Sequence, residues 1–127
     1  MRCGGKRLDR PGFFYESTVL TDVTDDMEIA REEIFGPVVS ILKFKTIDEV
    51  IKRANNHRYG LAGGVVTQNI DNAYKVSHNI KAGLVFVNNW SGPLINTPFG
   101  GHRQSGFGRE LGKESLKGYL ETSTILT

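Results

Sequence analysis

The stretch VVSILKFKTIDEVIKRANNHRYGLAGGVVTQNIDNAYKVSHNIKAGLVFV (residues 38–87) decides the fold of this chain. Residues 38–44, 61–67 and 84–87 are rich in β-branched and other apolar side chains, which predicts three strands. The two segments between them have the apolar spacing of amphipathic helices. Helices that alternate with strands predict parallel pairing through right-handed crossovers. We therefore expect an α/β fold built on a β-α-β-α-β parallel sheet.

The ends of the two predicted helices are marked by specific residues. Thr46 and Glu49 have the spacing of a capping box, in which both side chains accept hydrogen bonds from backbone N–H groups at the start of a helix. Asn69 is a preferred N-cap residue for the second helix. Gly83 is expected to close that helix in the C′ position.

Two adjacent glycines, Gly63 and Gly64, interrupt the second predicted strand. Glycine weakens a strand and often marks a point at which a neighbouring backbone or a ligand comes close. We expect such a close approach here.

The flanking regions have weaker patterns. Clusters of aromatic and β-branched residues before the central stretch predict short strands, and residues 25–35 can hold one or two helical turns. A loop dense in glycine and proline covers residues 90–108. Residues 109–119 have helical character, and the β-branched residues at 121–127 predict a terminal strand.

The composition excludes several classes of protein. The chain has 127 residues and a net charge of +2, with no block of lysine and arginine of the kind that binds nucleic acid. No apolar run approaches the roughly 20 residues needed to span a bilayer, and the N-terminus has no apolar signal-peptide core. A single cysteine excludes an internal disulfide. We expect one globular domain with a buried core.

The motifs that could carry chemistry give few candidates. Gly106, Gly108 and Gly112 have the spacing of a dinucleotide-binding loop, but such a loop follows a strand, so a structural turn is the favoured interpretation. Cys3 lies beside two glycines, without a predicted helix terminus or a fixed base that would activate its thiol. The histidines have no metal-ligand spacing, so no metal site is expected: His57, His78 and His102.

Glu33 and Phe35 form the first candidate site, just before the first strand of the central stretch. A carboxylate can accept two hydrogen bonds from vicinal ribose hydroxyls, and an aromatic ring can pack on a flat heterocycle. From the chemistry alone, a helix-end glutamate followed by a core phenylalanine remains the alternative.

The second candidate site follows the last strand of the central stretch, where Phe86, Trp90 and Phe99 surround the glycine- and proline-rich loop. Ligands of open α/β sheets bind beyond the carboxyl ends of the strands, so these aromatic rings could line a pocket. Core packing or an interface explains them equally well.

Three segments together resemble the NAD(P)-dependent aldehyde dehydrogenase superfamily. They are EEIFGPVVSILKF (residues 32–44), NNHRYGLAGGVVTQNID (residues 55–71) and PFGGHRQSGFGRELG (residues 98–112). The resemblance extends over essentially the whole chain. It implies an α/β catalytic-domain fold and the oxidation of an aldehyde to a carboxylic acid with reduction of NAD or NADP.

The resemblance also assigns roles to individual residues. Glu33 matches the glutamate that binds the hydroxyls of the nicotinamide ribose, and Phe35 matches the aromatic residue at the nicotinamide end of the cofactor. Phe99 matches an aromatic position at the substrate entrance. Trp90 lies in the loop that shapes aldehyde specificity, and a tryptophan there is similar to members that take aminoaldehydes or betaine aldehyde, whose cationic groups can bind aromatic faces.

By the same resemblance, the nucleophilic cysteine and the glutamate base of the family belong upstream of this region, so no catalytic residue is expected here. Cys3 matches a noncatalytic position. Residues 1–118 then correspond to the C-terminal part of the catalytic domain, and residues 119–127 to a strand that joins an oligomerisation sheet.

The expected whole protein is a cytoplasmic homo-oligomer, a dimer or a tetramer, that acts on an aldehyde without nucleic-acid or membrane partners. The chain alone is expected to be inactive. The alternative is a free-standing, noncatalytic binding or assembly module.

Overall fold

The computed structural model describes residues 2–127, and these form two compact units. The first unit ends at Val50, and the second extends from Ile51 to Thr127. Each unit contains one two-stranded parallel sheet. The expected α/β class with parallel pairing is therefore confirmed.

The first unit contains strand β1 (Thr18–Leu20), helix α1 (Glu28–Arg31) and strand β2 (Val38–Ser40). The two strands pair with Thr18 opposite Val38. Helix α1 is the single helical turn for which residues 25–35 have room. Strand β2 covers only the first part of the predicted segment 38–44 and pairs with β1.

Helix α2 (Ile47–Asn55) begins at the predicted cap. The backbone N–H of Glu49 donates to Thr46 Oγ1 at 3.2 Å. The Glu49 carboxylate accepts from the backbone N–H of Lys45 at 2.8 Å, one residue before the partner that a capping box would use. Both side chains therefore satisfy N–H groups at the start of the helix.

The second unit contains strand β3 (Ala62–Val65), helix α3 (Ile70–Asn79) and strand β4 (Leu84–Val87). Strands β3 and β4 are parallel, with Gly64 opposite Phe86. Asn69 caps α3 as predicted, because its side chain accepts from the backbone N–H of Asn72 at 2.9 Å. This β-α-β unit positions the loop that follows β4.

The predicted role of Gly83 as the glycine that closes α3 is wrong. The helix ends at Asn79, its C-cap Ile80 has an extended backbone, and Gly83 is not among the glycines with positive φ. A side chain at Gly83 would instead overlap the carbonyl oxygen of Gly100. Gly83 is required for close packing of two backbone segments rather than for a helix end.

The C-terminal region has less regular structure than its sequence predicts. The predicted helix at 109–119 is a 3₁₀ helix over Lys113–Tyr119, preceded by a short 3₁₀ turn at Arg103–Ser105. Residues 121–127 form no strand in this single chain, and their side chains are exposed. A strand requires a partner for its backbone groups, so the predicted assembly role of residues 119–127 stays a prediction.

The buried core among residues 2–127 is smaller than expected. Three apolar side chains, Val23, Ala73 and Val76, are each 6% exposed, whereas many large apolar side chains lie at the surface. Each sheet has only two strands, so it offers little surface against which the apolar side chains of the chain can be buried. No helix in the described residues is long and apolar enough to cross a membrane.

Candidate functional site

Glu33 and Phe35 lie in the segment that links α1 to β2. Helix α1 ends when the backbone N–H of Glu32 donates to the carbonyl of Glu28 at 2.8 Å, and the chain then becomes extended. The carbonyl of Pro37 accepts from the N–H of Thr18 at 2.8 Å, which fixes the end of this segment to β1.

Phe35 has an unusual backbone conformation. Its φ is +53°, in the left-handed region that side chains other than glycine rarely occupy. Its ring is 90% exposed, so it is not the core phenylalanine that the alternative interpretation predicts. A strained residue with an exposed aromatic ring suggests a functional position rather than a packing one.

A depression of about 340 Å³ brings Glu33 and Phe35 together. Its walls come from the end of α1 and from β2, including Ile29, Val39 and Ser40. The Ser40 hydroxyl oxygen is buried and has no hydrogen-bond partner among the described residues. The depression therefore combines an exposed carboxylate, an aromatic ring and an unused hydroxyl. No sequence pattern indicates Ser40, because the burial of its hydroxyl depends on the residues that surround it in the fold.

Trp90 follows β4 in the second unit. Its ring packs against Phe86, with the ring centroids 5.0 Å apart and the planes at 49°. The Trp90 side chain is nevertheless 69% exposed. Two of the three aromatic residues that the sequence groups around the loop after β4, Phe86 and Trp90, are therefore in contact, with one face of the tryptophan available to a ligand.

Phe99 lies in a different part of the second unit. Its backbone N–H donates to the carbonyl of Glu110 at 2.7 Å, and the N–H of Glu110 donates back at 2.8 Å. Phe99 lines a cavity of about 640 Å³ together with Arg109 and Phe107, and Trp90 is not part of that lining. The predicted cluster of three aromatic residues is thus a contacting pair, Phe86 and Trp90, and a separate phenylalanine.

The glycines at 106, 108 and 112 form turns. All three have positive φ, and the segment before them is a short 3₁₀ turn rather than a strand. The favoured interpretation, a structural turn instead of a dinucleotide-binding loop, is confirmed because the strand that such a loop needs is missing there.

The titratable residues outside the depression, within residues 2–127, include Cys3 and Asp22. No group of three histidine, cysteine or acidic side chains could hold a metal ion there. Cys3 is exposed, and its backbone forms an isolated antiparallel β-bridge with Val19. The Asp22 carboxylate accepts a hydrogen bond from Lys43 Nζ at 3.1 Å, which lowers the pKa of Asp22 at a point outside the depression.

Comparison with known proteins places these features in context. The sequence matches the aldehyde dehydrogenase family over residues 1–125. It is 54% identical, over 124 residues, to the cytosolic 10-formyltetrahydrofolate dehydrogenase of Xenopus tropicalis, and the match covers 96% of this chain and 14% of that protein.

Two solved structures are also similar. The NAD+ complex of aldehyde dehydrogenase from Bacillus cereus is 53% identical with a TM-score of 0.90, and the match covers 94% of this chain and 24% of that one. Betaine aldehyde dehydrogenase from Staphylococcus aureus in complex with NAD+ is 45% identical with a TM-score of 0.88, and the match covers 93% of this chain and 24% of that one.

The chain spans a quarter or less of the length of these proteins. The family match nevertheless covers residues 1–125, and the two solved structures cover 93% and 94% of this chain. The chain belongs to the aldehyde dehydrogenase family.

Proposed function

We propose that this chain is the part of an NAD(P)-dependent aldehyde dehydrogenase that holds the nicotinamide ribose and frames the entrance for the aldehyde. The whole protein would oxidise an aldehyde to a carboxylic acid. The observation that carries the proposal is the exposed pair of Glu33 and Phe35 on one depression, with Phe35 held in a strained conformation.

The residues of the depression suit the nicotinamide half of a dinucleotide. The Glu33 carboxylate has acceptor sites for two vicinal hydroxyls, and the Phe35 ring offers an apolar surface for a flat heterocycle. The orphaned Ser40 hydroxyl provides a further polar group in the same wall. When bound, NAD(P)+ supplies the hydride acceptor, and these residues orient it and limit its motion.

Trp90 and Phe99 are the proposed substrate residues. Trp90 presents an exposed ring face beyond β4, and Phe99 lines a cavity of its own. An exposed aromatic face attracts a cationic group, which supports an aldehyde that carries a quaternary or protonated nitrogen as one substrate class. Betaine aldehyde dehydrogenase is among the structures that this chain resembles.

The chemical step needs groups that we assign to other parts of the whole protein. In the proposed reaction a thiolate attacks the aldehyde carbonyl, hydride leaves the resulting adduct, and a base-activated water releases the acid. Cys3 is exposed, and its thiol donates to the carbonyl oxygen of Ser17 at 3.9 Å, a backbone group that is not a general base. We therefore assign this chain no catalytic residue.

We further propose that the whole protein is a cytoplasmic homo-oligomer and that the chain is a piece of it. The exposed apolar side chains favour this over a free-standing binding or assembly module, because such surfaces need partners. Intact mass of the endogenous protein separates the two: a species near 14.1 kDa alone would contradict the first.

The ribose assignment is tested in the complete protein with Glu33→Gln. Loss of a charge-assisted hydrogen bond costs about 1.5–3 kcal/mol, so we expect the pre-steady-state rate of hydride transfer to fall roughly tenfold or more. Glu28→Gln removes an exposed carboxylate from α1 and is the matched control. Unchanged burst kinetics in Glu33→Gln would contradict the assignment.

A further inference from the structure

We infer that Gly64 is a specificity-determining position of the aldehyde entrance, because its missing side chain is what lets the Trp90 ring lie against β3. This inference rests on the proposed role of Trp90 in selecting the aldehyde. It concerns a residue that binds no substrate itself and acts by positioning the ring.

The contact between Trp90 and the strand is tight. A Cβ placed on Gly64 would lie 3.0 Å from Trp90 Cζ3 and 3.3 Å from Trp90 Cε3. These distances are shorter than normal contacts between carbon atoms, whose optimum is about 3.5–4.0 Å. The edge of the indole therefore occupies the space of the side chain that Gly64 lacks.

The register of the sheet explains why the ring reaches this point. Gly64 is directly opposite Phe86 in the parallel pair, so positions 64 and 86 project to the same face. The Trp90 ring packs on Phe86 at 5.0 Å and extends from there over Gly64. Phe86 supports the ring from one side, and the bare backbone of Gly64 forms the rest of the surface below it.

The backbone before Trp90 is fixed, so the loop cannot simply retreat. Asn88 has φ of +52°, and its side-chain amide accepts from the N–H of Thr67 at 2.8 Å and donates to the carbonyl of Thr67 at 2.9 Å. Its own N–H donates to the carbonyl of Val65 at 2.8 Å. These three hydrogen bonds tie Asn88 to the end of β3 and so set the direction in which the backbone leaves β4, two residues before Trp90.

A Cβ at Gly64 would also lie 3.2 Å from the carbonyl oxygen of Phe86 on the paired strand, and because that oxygen belongs to the backbone, the Trp90 ring is the neighbour that moves more easily. Gly64 is not among the glycines with positive φ, so its backbone accepts an L-residue without conformational strain. An alanine Cβ requires the ring to move by a few tenths of an ångström, and the γ-methyl groups of valine require more. The ring can move only away from the sheet, into the open space through which an aldehyde would approach.

The experiment compares Gly64→Ala and Gly64→Val in the complete protein, with benzaldehyde and propanal as probes. We expect the ratio of kcat/KM for benzaldehyde to that for propanal to fall about threefold in Gly64→Ala and about tenfold in Gly64→Val. We expect the KM for NAD+ to stay unchanged, because neither Gly64 nor Trp90 is a proposed cofactor residue. A general loss of stability would lower both rates and leave their ratio constant.

Two controls separate positioning of the ring from other effects. In a Trp90→Ala background, the Gly64 variants should leave the ratio unchanged, since the double-mutant cycle removes the contact. Gly63→Ala is the matched control on the opposite face, where a Cβ would lie 2.8 Å from the Ile80 Cγ2 methyl group, so that it also forces a neighbour to move but not Trp90. It should leave the ratio at the wild-type value.

The outcomes are distinct. An unchanged ratio in Gly64→Val, or an equal fall when Trp90 is absent, would overturn the inference while leaving the proposed function intact. If Trp90→Ala leaves kcat/KM unchanged for both substrates, the proposed role of Trp90 is wrong, and the inference is wrong with it. A fall that depends on Trp90 supports the inference.

Discussion

Phe35 combines two properties that are individually costly. An L-residue in the left-handed region costs about 1–2 kcal/mol, and a large ring exposed to water gains nothing from burial. Both costs disappear if the residue is glycine, so stability does not explain a phenylalanine here. A ring that lines a depression beside Glu33 is what the proposed contact with the cofactor requires.

This explanation separates stability from binding at one position. In the complete protein we expect Phe35→Gly to be more stable than Phe35→Ala by about 1 kcal/mol, because glycine removes the strain at positive φ and alanine keeps it. Both variants lose the ring, so both should bind NAD+ several-fold more weakly. Urea denaturation and titration of NAD+ measure the two effects. Equal stability of the variants would refute the claim of strain.

The sequence could predict the position of Phe35 but not its conformation. Its alternation with Glu33 suggested either a cofactor contact or a core residue, and the family resemblance favoured the first. Nothing in a Phe-Gly-Pro sequence requires positive φ at the phenylalanine, because the glycine that follows is the residue expected to take it. The end of this segment is held by a tertiary contact, the hydrogen bond that the carbonyl of Pro37 accepts from the N–H of Thr18 in β1, and no local sequence pattern contains that contact.

At the scale of elements, helix α3 was the easiest to predict, because its start depends on a local interaction. Asn69 accepts from the N–H of Asn72 three residues later, and both partners are in the sequence pattern. We expect Asn69→Ala to lower the free energy of unfolding of the complete protein by about 1 kcal/mol. Asn72→Ala, in the first turn of the same helix, should leave it unchanged or raise it slightly, and a destabilisation equal to that of Asn69→Ala would argue against the cap.

Gly83 demonstrates where local patterns fail. Its position after the apolar residues of α3 predicts that it closes the helix. In the structure, however, Gly83 is needed for its close approach to Gly100, which is seventeen residues later and is not indicated by any local pattern. The same holds for the β2 segment, whose strand ends at Ser40 because β1 provides only three partners. The packing role of Gly83 and the end of β2 at Ser40 both depend on contacts between segments that are far apart in the sequence. The spacing of apolar residues along the chain does not reveal such contacts.

The close approach at Gly83 has a measurable consequence. A Cβ there would overlap the Gly100 carbonyl, and a backbone group has little freedom to move aside. We expect Gly83→Ala to destabilise the complete protein by about 1–3 kcal/mol, the usual range for overpacking. Gly118→Ala is the control, because no atom lies within 4 Å of its added Cβ. If the urea midpoints of the two variants coincide, the packing role assigned to Gly83 is wrong.

The whole chain exposes more apolar side chains than a self-sufficient domain would. In the first unit Phe13 and Phe35 are almost fully exposed, and in the second unit Val66, Phe107 and Leu126 are similarly open. Exposed apolar surface of this extent marks interaction sites or aggregation liabilities. The rest of a longer aldehyde dehydrogenase would supply the missing layers, in keeping with the quarter or less of its relatives that the chain spans.

At this scale the sharpest prediction concerns activity. We expect the purified chain to produce no NADH from propanal, benzaldehyde or betaine aldehyde, because the roles proposed for its residues are cofactor and substrate contacts, and the nucleophile and the base are assigned to other parts of the whole protein. Absorbance at the NADH band, against a control without protein, measures this, and circular dichroism establishes that the sample is folded. Turnover above the control that disappears in Cys3→Ser would contradict the prediction, because Cys3 is the single thiol of the sequence. Turnover that persists in that variant would point to a contaminating enzyme, since covalent thiol catalysis requires a cysteine.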